Sequence, residues 1–248
     1  MPLMSVTKDQ QAQASSTSST VSKAVKVLVV IIAGLSGLFI LRLLAILRNR
    51  KNEKITDQEA NSQIAQVKSD WYDRVSKSVS DGWDRGTTLG MQAAKAQGVQ
   101  PMGKGSSNKG SLDDILKDLR RSIDDAETLL RTSVDSNGES DVNKIVKVIS
   151  LRQQMSGEAA LKYAVAETME SELATPDTQK MWVSTNPGEP CSHCRKLNGM
   201  VRDWGEEFPH SFPGIYKLKV YGGVLLGPLR HPHCMCVLIR VPKESSNA

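Results

Sequence analysis

Between Val27 and Leu47 the chain reads VLVVIIAGLSGLFILRLLAIL, apolar on every side, with Arg42 as its one charge. No polar face recurs along it, so it predicts a helix surrounded by apolar material all round. Its 21 residues would form a rod of about 31 Å, enough to cross the hydrocarbon core of a bilayer. Arg42 lies near enough to the end to snorkel toward headgroups. The alternative is a helix enclosed by protein in a large assembly. Lys23 and Lys26 precede the segment, whereas Arg42, Arg48, Arg50, Lys51 and Lys54 accompany or follow it. That excess leaves the C-terminal part in the cytoplasm by the positive-inside rule. Residues 1–22 are rich in Ser, Thr and Gln without an apolar period and predict a disordered tail. Residues 23–50 then form the hydrophobic, transmembrane-like helix.

Residues 51–97 change to an amphipathic helical pattern. Thr56-Asp-Gln-Glu59 is a capping box that opens a helix. Ala60, Ile64, Val67, Trp71, Val75, Val79 and Trp83 follow at helical spacing and draw a single apolar seam. So narrow a seam needs a partner helix, from the same chain or from a neighbouring subunit. The expectation is an oligomeric assembly interface through the 60–83 helix, anchored by Trp71 and Trp83.

Residues 98–110, GVQPMGKGSSNKG, form a linker and lack the full G-x4-G-K-[ST] of a phosphate loop. Ser111 is the expected cap of the next helix, with Leu112, Ile115, Leu116, Leu119, Ile123, Leu129 and Leu130 on its buried face. Ser136-Asn-Gly138 ends it, and Val142 to about Glu172 predicts one or two further helices, closed by Thr175-Pro176. After Pro176 the texture turns to short strands: KMWVST, KLKVYGGVLLG and CVLIRV. The fold class is therefore α+β, an N-terminal hydrophobic helix and helical region followed by a small antiparallel β domain. Residues 111–241 form one domain, and 242–248 a tail.

Composition adds two points. Aromatic residues are 4% of the chain, and seven of the eleven fall after position 162, so an aromatic-anchored core belongs to the C-terminal part. A net charge of +5 permits contact with nucleic acid or anionic lipid without arguing for either.

All four cysteines fall in Cys191-Ser-His-Cys194 and His231-Pro-His-Cys234-Met-Cys236. Two short ligand pairs brought together by the intervening chain are what a tetrahedral zinc ion requires. Cys191, Cys194, His231, Cys234 and Cys236 offer five candidates for four positions. His231 with Cys234 repeats the spacing of the first pair, whereas Cys234 with Cys236 would complete an all-thiolate shell from one strand face. The preferred set is Cys191, Cys194 and His231 with either Cys234 or Cys236. Disulfides are the competing use of these thiols, and the cytoplasmic orientation favours metal. His193 and His210 are expected outside the shell. A sheet this small would draw much of its folding energy from the metal, making the β unit zinc-stapled.

The flanking residues carry a resemblance. The stretch AETMESEL…KMWVSTNPGEPCSHCRKLNGMVRDW…FP…GPLRHPHCMCVLIRV resembles the C-terminal domain of the phage Mu F-like minor head proteins, also called head-morphogenesis proteins. The matching parts are a helix with Ala164 to Thr168, a strand led by Trp182, the turn from Cys191 to Gly199, and the closing His231 to Cys236. The match covers roughly residues 150–241. His233 and Met235 stand where that family more often has Asn and Arg, and the apolar segment is foreign to it. The resemblance implies a structural minor capsid protein of a tailed phage or prophage, inside the head near the portal, with portal and major capsid proteins as partners. Packaged DNA is a further partner expectation. The apolar helix adds the host inner membrane, entered or contacted during head assembly or DNA ejection, with the C-terminal domain cytoplasmic.

No catalytic constellation accompanies these motifs. The clustered ligands suit a closed, structural zinc site rather than one with an open water position, so the expectation is a protein that is not an enzyme. The alternative from another class is a membrane-anchored zinc-binding interaction module. A histidine-metal nuclease with His210 or His233 as base lacks the paired histidine and acid it would need.

Overall fold

The computed structural model describes residues 4–103, 109–136, 139–185, 192–209 and 236–243. Four long helices, α1 (Lys8–Lys51), α2 (Asp57–Ala96), α3 (Lys109–Asp135) and α4 (Glu139–Leu173), precede a small mixed unit. That unit holds β1 (Thr178–Val183), the short α5 (Ser192–Leu197), β2 (Val201–Arg202) and β3 (Val237–Pro242). The three described strands form an antiparallel sheet in the order β2-β1-β3. The α+β class holds. The strand expected at KLKVYGGVLLG lies outside the described residues.

Thr56 caps α2 as its sequence predicts, its hydroxyl accepting from the Glu59 N–H while Glu59 reaches back to the Thr56 N–H. The α2 seam is buried, but within the chain. Ala60, Ile64, Trp71, Val75, Val79 and Trp83 share one core with α1 and α4 residues, and Trp71 stacks on Phe39 of α1 at a centroid separation of 5.1 Å. The chain therefore supplies a partner helix for this seam itself, the first of the two alternatives that the narrow seam left open.

Two further expectations change. The predicted disordered tail is helical from Lys8 onward, opened by a capping box between Thr7 and Gln10. Ser111 is not a cap: α3 begins at Lys109, and the Ser111 hydroxyl lies buried on the Glu167 carboxylate at 2.6 Å. On α3 Leu129 is exposed, while Ala126 and Val134 complete the buried face.

The apolar helix α1 is two-sided. Leu28, Ile32, Phe39, Ile40, Leu43 and Leu47 are buried in the bundle core. Val27, Val30, Ile31, Leu38 and Leu41 are exposed. Helix α1 runs antiparallel to α4, with Leu28 and Ile32 beside Gly157 and Val21 and Val25 beside Val165 and Met169.

Helices α2 and α4 run parallel at very close range. A Cβ on Gly86 would sit 2.3 Å from the Leu161 carbonyl oxygen, and one on Gly90 would sit 2.6 Å from Thr168 Cβ. No larger residue fits between those backbones without moving them apart. The α2 C-terminus then docks on the sheet. Gln97 donates to the Leu238 carbonyl at 3.1 Å and accepts from the Arg240 N–H at 2.6 Å, pairing groups on the side of β3 turned away from β1.

Candidate metal centre and the sheet that carries it

The side chains of β1 and β3 alternate between two cores, as strand geometry requires. Trp182 and Leu238 face the helical core, together with Cys194, Leu197, Met200, Phe208 and Cys236. Met181, Val183, Val237, Ile239 and Val241 face the other way, where Val201, Ala14, Met4 and Val6 cover them. The N-terminal segment is thus the second layer over the sheet. Met4 donates its N–H to the Gly199 carbonyl at 2.9 Å, and Gln11 donates to the Ser184 carbonyl at 3.2 Å. Gly199 has φ +80°, and a Cβ there would meet the Met4 carbonyl oxygen at 2.3 Å, so only glycine suits this turn.

Two of the five candidate ligands are described, and both come to one end of the sheet. Cys236 immediately precedes β3, whose first residue Val237 pairs with Val183 at the end of β1. Cys194 lies in α5. The Asn198 N–H donates to its carbonyl, and the Gly199 N–H donates to the Trp182 carbonyl at 2.8 Å, tying that turn back to the same end of β1. Cys194 is 3% exposed and Cys236 8%. Cys191, His231 and Cys234 lie outside the described residues, as do His210, His233 and the side chain of His193. Among the described residues no group of three or more His, Cys, Asp or Glu is gathered to hold a metal. The thiols present suit zinc in softness and in burial: each is a soft donor shielded from water, the setting of a closed structural site.

The apolar surroundings extend around Cys236. A cavity of about 350 Å³ between α1, α4 and β3 is lined by Val21, Val25, Met169, Cys236 and Leu238, with the Glu158–Lys162 pair at its wall. Trp182 meets Phe208 edge-on at a centroid separation of 5.1 Å on the same side of the sheet.

A buried ion pair fixes the sheet to the bundle. Lys180 of β1 is fully buried and donates to both oxygens of Glu170 on α4, each at 2.9 Å. The Gly205 N–H donates to the same carboxylate. Burial pushes the Glu170 carboxyl above its ordinary value, against the pull of Lys180 and the Gly205 N–H. Burial likewise pushes Lys180 down, against the pull of Glu170. For both groups desolvation outweighs pairing. Sequence reasoning missed this contact. Its one signal was a lysine in phase with Trp182 on a strand whose alternate positions are apolar.

No family model, no curated protein and no solved structure matches this chain.

Proposed function

We propose that this chain is a non-enzymatic assembly protein of the minor head type, its C-terminal sheet closed by a structural zinc ion. The observation that supports the metal is that Cys194 and Cys236 are both buried on the helical side of the sheet, toward the end where Val237 of β3 pairs with Val183 of β1. Cys191 precedes Cys194 by three positions, and His231 and Cys234 precede Cys236 by five and two. Cys191, Cys194 and His231, with Cys234 or Cys236, would hold the ion, which when bound supplies a cross-link and no reactive position. The place inside a phage head, beside portal and major capsid proteins, rests on the resemblance of this frame and its flanks.

Elemental analysis of the purified full chain tests the metal. About one zinc per chain is expected, lost together with sheet protection in strong chelator and lost in Cys194→Ser. A chain free of zinc with the sheet still protected removes the metal from the proposal. Mass spectrometry of purified phage particles tests the location, and particles devoid of peptides from this chain overturn it.

A further inference from the structure

The exposed side of α1 is an apolar stripe with basic ends. Val27, Val30, Ile31, Leu38 and Leu41 are between 47% and 71% exposed. Gly34 between them has nothing near the place a Cβ would take. At 3.6 residues per turn these positions fall within a sector of about 100°, so they form one continuous face. From Val27 to Leu41 that face is about 21 Å long. Lys23 and Lys26 stand exposed at one end and Arg42 at the other. From Gln10 to Asn52 the sequence contains no Asp or Glu.

The neighbouring helix determines how such a stripe can meet a bilayer. Grooves between α1 and α2 set Leu38 and Arg42 beside Asp70 and Arg74, and Val27 and Ile31 beside Asp81 and Arg85. If α1 crossed a bilayer in this fold, those α2 charges would enter hydrocarbon with it, at a prohibitive cost. A helix lying in the interface avoids that cost, because only the apolar sector sinks below the headgroups while the α2 flank stays wet. The α2 charges along the flank balance in sign, so the field over the stripe is set by the lysines and arginine of α1.

We propose that the Val27–Leu41 face of α1 docks flat on an anionic lipid surface, with Lys23, Lys26 and Arg42 on the headgroups and α1 still packed in its bundle. A second copy of the chain is the competing occupant. Either direction of pairing along the stripe would bring basic ends against basic ends, which anionic lipid would instead neutralise. The proposal is independent of the zinc.

Flotation of the full chain with vesicles of phosphatidylglycerol or phosphatidylcholine tests it. Binding to phosphatidylglycerol vesicles is expected, weakened by salt and released by alkaline carbonate. Val30→Asp with Leu41→Asp should lower binding at least about tenfold at unchanged helicity. If that variant loses helicity, Val30→Gln with Leu41→Gln replaces it. Lys23→Gln, Lys26→Gln and Arg42→Gln together should abolish the preference for the anionic vesicles. No binding by the native chain, or equal binding by the apolar-face variants, overturns the proposal. Retention through carbonate overturns it in favour of a spanning helix. A native dimer without lipid affinity, made monomeric by the apolar-face variants, overturns it in favour of a second copy.

Discussion

Lys180 and Glu170 show how a single pair of residues can decide where a sheet sits. Their mutual attraction does not offset the full loss of hydration, since burial shifts both groups toward neutrality. Replacing Lys180 by Met should therefore expose the cost of the acid left behind, about 3–5 kcal/mol of stability near neutral pH. The loss should shrink on acidification. Glu170 has a folded-state value raised above its unfolded one, so its stabilising contribution is complete below the unfolded value and disappears as pH rises through the folded one. Without Lys180 one of the causes that lowers that value is gone, and the window widens upward. Denaturant titrations of Lys180→Met at several pH values should show stability rising from neutral toward mildly acidic conditions. A flat profile would mean that Glu170 finds another partner. At the same end of the sheet, Asp203 accepts from Gln179 at 2.8 Å and from Lys243, contacts that hold its carboxyl below the usual range. Its contribution is present above the ordinary Asp value and is lost as pH falls through the depressed one.

At the scale of elements, close approach rather than hydrophobic bulk holds α2 to α4. Gly86 faces the Leu161 backbone, which cannot yield, whereas Gly82 faces only the flexible end of the Leu28 side chain. Gly86→Ala should destabilise by about 1–3 kcal/mol through overpacking, and more if the helices must part. Gly82→Ala should cost less, because helix propensity returns up to about 1 kcal/mol while Leu28 changes rotamer. Thermal unfolding of the two variants side by side checks the order, and equal effects would mean that the interface has slack. The same elements show what the sequence carries. The α2 seam and its capping box were legible because polar and apolar residues alternate there at helical spacing. So was β3, from its run of apolar and β-branched residues. The two-sidedness of α1 was not legible, since a segment apolar all round looks alike whether lipid or protein covers it. Nor was the start of α1, where Ala14 and Ser18 are buried contacts that composition reads as a polar tail. Of the candidate site, only Cys194 and Cys236 lie among the described residues, both buried; the other three candidate ligands lie outside them. The Lys180–Glu170 anchor was hidden because long-range pairing of lone charges leaves no periodic trace.

For the whole molecule the decisive feature is that the first residues cover the last strand. A chain organised as an independent apolar helix, a linker and a zinc domain would lose nothing from its C-terminal part on truncation. Here Met4, Val6 and Ala14 join Val201 in covering Met181, Val183, Val237, Ile239 and Val241, so the sheet is a middle layer between the N-terminal segment and the bundle. Removing that cover exposes a row of apolar side chains, each worth about 1.5–3 kcal/mol when fully buried, on a sheet too small to offset the loss. Deleting residues 1–16 should therefore leave α2, α3 and α4 helical while the amides of Met181 to Val183 lose hydrogen-exchange protection. Residues 28–47 of α1 should keep their protection, because their contacts lie with α2 and α4. Full protection of β1 in the truncated chain would mean that the Lys180–Glu170 pair and the bundle-side packing suffice to hold the sheet, and that the N-terminal segment rests on it without supporting it. Loss of protection throughout the bundle would mean instead that the molecule folds as one cooperative unit from Met4 to β3.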